Sequence, residues 1–245
     1  MTTSISEIRR HAATQRRGYE RFLDFFANYV VKIALFCRLT PTQLTFFWVI
    51  VQFFAPLFFT FGSYFSFVLG IVLFQCMFIV DLSDGKLFRF SKAGVKHKKP
   101  LFPKYLDHLG HYINNAWLFI CLGLGTMLRY SGDWFFFYGG LAAAFFYLLN
   151  KSTAINPAWY KSFEEQKTIL GLVDQATPRY GKSLLKQFLF DFFRVEHLGN
   201  FLFFGILFDQ PGVVLMVYAG LFCLEFLRKL YVQGKLLWRV DKGRS

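Results

Sequence analysis

The sequence predicts an all-α integral membrane protein with six transmembrane helices and an N-terminal amphipathic interfacial helix. Three observations lead there. Of the 245 residues, 55% are hydrophobic and 35 are Phe, more apolar surface than the polar remainder can cover in water. Six apolar runs approach the roughly 20 residues that a bilayer-spanning helix needs. All but Arg129 of the 28 Lys and Arg residues cluster before the first run, around the second and fourth connections, and from Arg228 onward. That alternation places both termini and the two long loops in the cytoplasm, in what reads as a cell (inner) membrane. A formal net charge of +13 joined to this apolar content excludes a secreted disulfide scaffold, a disordered tail and an ordinary cytosolic enzyme.

Met1 to Glu20 carries Arg9, Arg10, Arg16 and Arg17 without an apolar core before a small-residue cleavage site, so it does not read as a signal peptide. Phe22, Phe25, Phe26, Tyr29, Val30, Ile33 and Phe36 then recur at helical spacing, with Glu20, Asp24, Asn28 and Lys32 on another face. This pattern fits a helix lying in the membrane interface, and equally one packed on the cytosolic side of the protein itself. Thr40 caps the first span, with Pro41 at its first position and Gln43 completing a capping box. The spans run Thr42 to Phe61, Tyr64 to Phe90, Lys104 to Leu128, Trp134 to Ala154, about Phe188 to Phe208, and Gly212 to Leu230. The organisation is thus a cytosolic segment with its interfacial helix (1–38), a six-helix transmembrane catalytic domain (39–233) and a basic cytosolic tail (234–245). Gly139, Gly140 and Ala142 to Ala144 predict close helix packing. The isolated Cys37, Cys76, Cys121 and Cys223 read as reduced packing residues.

Chemistry concentrates where the second run ends. Asp81 lies about 26 Å along the helix from Tyr64 at the usual helical rise, near the cytosolic edge of a hydrocarbon core about 30 Å thick. Asp81, Asp84, Gly85 and Phe88 share one helix face, with Arg89 beside it. The third span enters at the same depth with Asp107, His111 and Asn114 stacked on one face, so the two polar faces can meet. Three carboxylates at this depth call for a compensating charge, and hard oxygen ligands suit Mg²⁺ or Mn²⁺. The same acids also fit solvated helix ends paired with Lys86, Arg89, Lys92 and Lys104.

The order Asp-Leu-Ser-Asp-Gly-Lys-Leu-Phe-Arg from Asp81 to Arg89, followed by Asp107 and His111, resembles the CDP-alcohol phosphatidyltransferase family. That family's signature reads Asp-x-x-Asp-Gly-x-x-Ala-Arg, eight residues, Gly, three residues, Asp, three residues, Asp. The lead-in Leu39 to Thr45 is similar to the family's Thr-Pro-Asn-x-Leu-Thr, and six spans with an N-terminal surface helix is its usual architecture. The resemblance implies that Asp81, Asp84 and Asp107 hold two divalent ions, that Gly85 admits a cytidine nucleotide to the helix, and that Arg89 holds a donor phosphate. It implies transfer of a substituted phosphate from a CDP-linked lipid donor to an alcohol acceptor with release of CMP, among membrane lipids, in a homodimer and with no nucleic acid as partner. Lys86 after Gly85 is shared with the choline and ethanolamine phosphotransferase branch, a sibling reading with a soluble CDP-alcohol donor.

Four departures stand out. His111 replaces the last Asp, Phe88 the small Ala beside the nucleotide, and Pro103 the later Gly, while Phe90 to Phe102 is longer than the family's eight residues. An alcohol attacking phosphorus must lose a proton, and imidazole is a good acceptor near neutrality, so His111 is expected as the catalytic base. A catalytically inactive relative and a cation-coupled transporter are the competing classes. His108 points about 100° away from Asp107 and is expected in a supporting or packing role. Asn114, Lys104, Arg194 and His197 are candidates for the acceptor pocket or for supporting it, and a snorkelling helix end also explains Arg194 and His197. Glu225 is expected to pair with Arg228 or Lys229 one turn on.

Overall fold

The computed structural model describes residues 4–11, 19–91, 101–152 and 198–242. Among these residues the chain is helical, without a strand. The helices are α1 (Ile5–His11), α2 (Tyr19–Phe36), α3 (Pro41–Phe54), α4 (Tyr64–Ser91), α5 (Leu101–Arg129), α6 (Trp134–Ser152), α7 (Leu198–Leu207) and α8 (Pro211–Lys242).

The start of α3 is as the sequence predicts. Thr40 accepts from the Gln43 backbone N–H, Gln43 Oε1 accepts from the Thr40 N–H at 2.9 Å, and Pro41 opens the first turn. Two backbone donors that would otherwise be orphaned are satisfied together. The helix does not stay α to Phe61, however. Pro56 has no N–H for the Gln52 carbonyl, and Ala55–Phe61 tightens into a 3-10 segment. Gly62, at φ 67, reverses the chain into α4. Together Pro41–Phe61 and Tyr64–Ser91 are long and apolar enough to cross a membrane.

Small residues set how closely the helices approach. A Cβ on Gly125 of α5 would lie 1.8 Å from the Phe59 carbonyl oxygen, so only glycine lets α5 meet the 3-10 segment. Gly123 and Gly140 do the same for α5 against α6, where a Cβ on either would fall 2.9 Å from the other's Cα. The core between α4, α5, α6, α7 and α8 is aromatic, with Phe59, Phe119, Tyr147, Tyr218 and Phe222 fully buried. Large apolar side chains are also turned outward, among them Phe46 of α3, Phe65 of α4, Phe135 and Phe145 of α6, and Leu224 of α8. So much outward apolar surface marks a face that is covered in use.

Helix α2 has the two contrasting faces that its spacing predicts. Leu23, Ala27, Val31 and Ala34 are buried against the body of the protein, while Phe25, Phe26, Tyr29, Ile33 and Phe36 are exposed. Its polar residues Asp24 and Asn28 do not face solvent alone, since both bond Lys86 of α4. Ile8 and Val31 share a buried cluster with Leu44, Trp48 and Met77, so α1 and α2 pack on the helices that follow them. Helix α8 runs unbroken through 233 to Lys242. Of the fifth predicted span, 188–197 lies outside the described residues, and α7 covers Leu198–Leu207. No cysteine is bonded to another. Glu225 pairs with Arg228 at 2.8 Å and stands 4.0 Å from Lys229, as expected.

Candidate metal and phosphate site

The polar end of α4 turns successive residues toward three different helices, which follows from the helical rotation of about 100° per residue. Asp81 faces α5. Ser83 donates to the Ala27 carbonyl of α2 at 3.2 Å. Asp84, only 3% exposed, accepts from the hydroxyl of Thr45 on α3. Lys86 returns to α2, with Nζ 2.7 Å from Asp24 Oδ2, 2.7 Å from Asn28 Oδ1 and 3.1 Å from the Asp24 carbonyl.

From α5, His111 Nε2 lies 3.5 Å from Asp81 Oδ2 and 3.5 Å from Asp107 Oδ1. One donor atom from each of Asp81, Asp107 and His111 falls within 4.8 Å of the others, and all three side chains are partly exposed. Donors on opposite sides of an ion bound at magnesium distances are about 4.2 Å apart. The two carboxylates therefore need only small side-chain movements to share one divalent ion, and the imidazole stands beside them, placed either as a further ligand or as a base.

Neighbouring residues hold this arrangement. The indole of Trp48 on α3 packs on the His111 ring, with centroids 5.0 Å apart and planes tilted by 38°. Gly110 makes that approach possible, because a Cβ there would lie 2.7 Å from Val49 Cγ2 and 3.1 Å from the Trp48 ring. Behind the site, the Tyr147 hydroxyl of α6 accepts from Asn115 at 2.8 Å and donates to the His111 carbonyl at 3.2 Å.

The structure thus brings together Asp81, Asp107 and His111, and sets Asp84 against Thr45 one turn further along α4. A Cβ on Gly85 would sit 3.5 Å from the Arg89 guanidinium, with nothing nearer among the described residues. Phe88 and Arg89 are half-buried on the same stretch of α4. Asn114 is 1% exposed and donates to the Val49 carbonyl at 3.1 Å and to Gln52 Oε1 at 3.3 Å, so of its two expected roles the structure fits the supporting one, tying α5 to α3. His108 and Lys104 are exposed on α5, and His108 stands off the Asp107 and His111 face. Arg194 and His197 lie outside the described residues.

Sequence reasoning missed Thr45, Trp48, Tyr147 and the Lys86 contacts. Gly110 inside an otherwise regular helix was the available signal for a close approach by another helix at His111. Compared with known protein families and with curated proteins, the chain matches none.

Proposed function

We propose that this chain is a metal-dependent, membrane-embedded CDP-alcohol phosphotransferase. In this reading it moves a substituted phosphate, phosphatidyl in the leading form, from a donor such as CDP-diacylglycerol to an alcohol hydroxyl, releasing CMP in phospholipid biosynthesis. One observation carries it. Asp81, Asp107 and His111, in the order of the resembled signature and with its interval between the last two, converge within 4.8 Å beside the end of a helix apolar enough to cross a membrane. The outward apolar faces of α5, α6 and α8 support their reading as further spans, giving six with α3, α4 and the region around α7. Both termini and the site then face the cytoplasm, where nucleotide and lipid phosphate meet.

Asp81, Asp84 and Asp107 are the residues proposed to hold Mg²⁺ or Mn²⁺. When bound, the metal would offset the charge of the donor diphosphate. Gly85 leaves the α4 backbone open to the nucleotide, Arg89 beside it binds a donor phosphate, and Phe88 flanks the base or ribose. The acceptor oxygen bonds to the donor phosphorus nearer the lipid while His111 Nε2 takes its proton. The bond from that phosphorus to the bridging oxygen breaks, and the electron pair leaves with CMP. Lys86, turned into α2, lends no support to the sibling reading with a soluble CDP-alcohol donor.

The test is CMP release by purified protein with Mg²⁺ or Mn²⁺, offered CDP-diacylglycerol or soluble CDP-alcohols against a panel of alcohol acceptors. Release that needs both metal and one acceptor is expected. Silence with every donor, in protein that still binds Mn²⁺, would overturn the proposal in favour of an inactive relative.

A further inference from the structure

Lys86 is 2% exposed and surrounded by α2, although it directly follows Gly85 in the motif. Its ammonium meets the Asp24 carboxylate, the Asn28 side-chain oxygen and the Asp24 carbonyl, all on one turn of α2. The Ser83 hydroxyl, which donates to the Ile79 carbonyl of its own helix at 2.6 Å, also reaches the Ala27 carbonyl at 3.2 Å. Helix α4 is therefore gripped by α2 on one side, by Thr45 of α3 at Asp84, and by α5 at Asp81. Removing the grip of α2 takes away one of the three restraints on the polar end of α4, and Asp81 shifts with that end. Functional groups must be held to within about 0.5 Å and 10–20° of their working geometry.

The opposite face of α2 carries Phe25, Tyr29, Ile33 and Phe36, the last 89% exposed. Helix α2 ends on Arg38 in the left-handed region, at φ 55, with the Leu39 N–H returned to the Ala34 carbonyl at 2.8 Å. This tight joint leads straight into α3, the start of the first segment apolar enough to cross a membrane. The exposed face of α2 is thereby held where that segment begins.

We propose that Lys86 is a positioning residue that couples the seating of α2 on the lipid surface to the placement of Asp81 against Asp107 and His111. The proposal rests on the metal site and membrane orientation of the preceding reading. Seated α2 holds Asp24 and Asn28 at a fixed height. Lys86 passes that height and rotation to α4, and so to Asp81.

The experiment is a double-mutant cycle on full-length protein in phospholipid vesicles, read as Mn²⁺ affinity from the electron paramagnetic resonance signal of unbound Mn²⁺. This readout does not depend on the reaction, so failure of the coupling is distinguishable from failure to release CMP. Lys86→Met is expected to weaken Mn²⁺ binding at least tenfold, and Ile33→Asp with Phe36→Asp to weaken it similarly. All three together should be no worse than Lys86→Met alone, because coupled residues are not additive. Additive losses, or unchanged affinity in folded Lys86→Met, would overturn the proposal. If Lys86→Met does not fold, Lys86→Arg and Asp24→Glu keep the ion pair with altered reach; intermediate affinities are expected, and wild-type affinity in both would count against the coupling. A Tyr29→Trp reporter should be quenched by brominated lipid. Its failure to quench would mean that protein, such as a second copy of this chain, covers the face, and would overturn the lipid assignment.

Discussion

Replacing Gly85 by Ala separates a glycine kept for a ligand from one kept for packing. In a helix interior glycine is about 0.8–1 kcal/mol less favourable than alanine. Gly125, Gly123 and Gly140 repay that cost, because a Cβ at each would fall within 3.0 Å of backbone atoms of another element. Gly85 does not, since its Cβ would meet only the end of the Arg89 side chain at 3.5 Å, an ordinary contact. Gly85→Ala should therefore stabilise the protein by roughly 1 kcal/mol, raising the unfolding midpoint about 2–4 °C in detergent. The same methyl group stands where the nucleotide would approach α4. A displacement of about 1 Å there should lower turnover on the order of 100-fold. The assays are thermal unfolding and CMP release on one preparation. A more stable variant with wild-type turnover would refute a ligand role for Gly85, and a less stable one would refute the open geometry from which the gain is derived.

Three further outcomes are expected. Gly110→Ala should cost about 1–3 kcal/mol by overpacking, because its Cβ would lie 2.7 Å from Val49; an unfolding midpoint equal to wild type would count against the packing of α5 on α3. Asn114→Ala should destabilise by about 1–3 kcal/mol through the buried Val49 carbonyl and Gln52 amide left without their donor, while turnover per folded molecule stays within a few-fold. A complete loss of turnover in the folded variant would return Asn114 to the reaction. Asp107→Asn should abolish the rise in unfolding midpoint that Mn²⁺ gives the wild type, and a retained rise would move the metal elsewhere.

The helices and their ends were largely legible because capping and apolar runs are local signals. Thr40, Pro41 and Gln43 announce the start of α3 whatever lies around them, and the small residues of α6 announce its close neighbours. The convergence of Asp81, Asp107 and His111 was legible because helical spacing put them on facing stripes of two neighbouring helices. Contacts at right angles to those stripes were not. Lys86 reads in sequence as one more cytosolic cation, and only the packing of α2 reveals it as buried. Asn114 shares the stripe of His111 but sits one turn deeper, where α3 closes over it, so periodicity assigns it to the site and packing gives it the supporting role. Pro56 was visible, yet an apolar run reads the same whether its helix is α or 3-10.

The central claim is that Asp81, Asp107 and His111 form one phosphotransfer site, and acceptor-dependent CMP release compared among wild type, Asp81→Asn and His111→Ala tests it most directly. The account predicts metal-dependent release by the wild type, none above background for Asp81→Asn, and a fall of about 10²–10⁴-fold for His111→Ala, the usual contribution of a general base. Release that persists at the wild-type rate in both variants would contradict it.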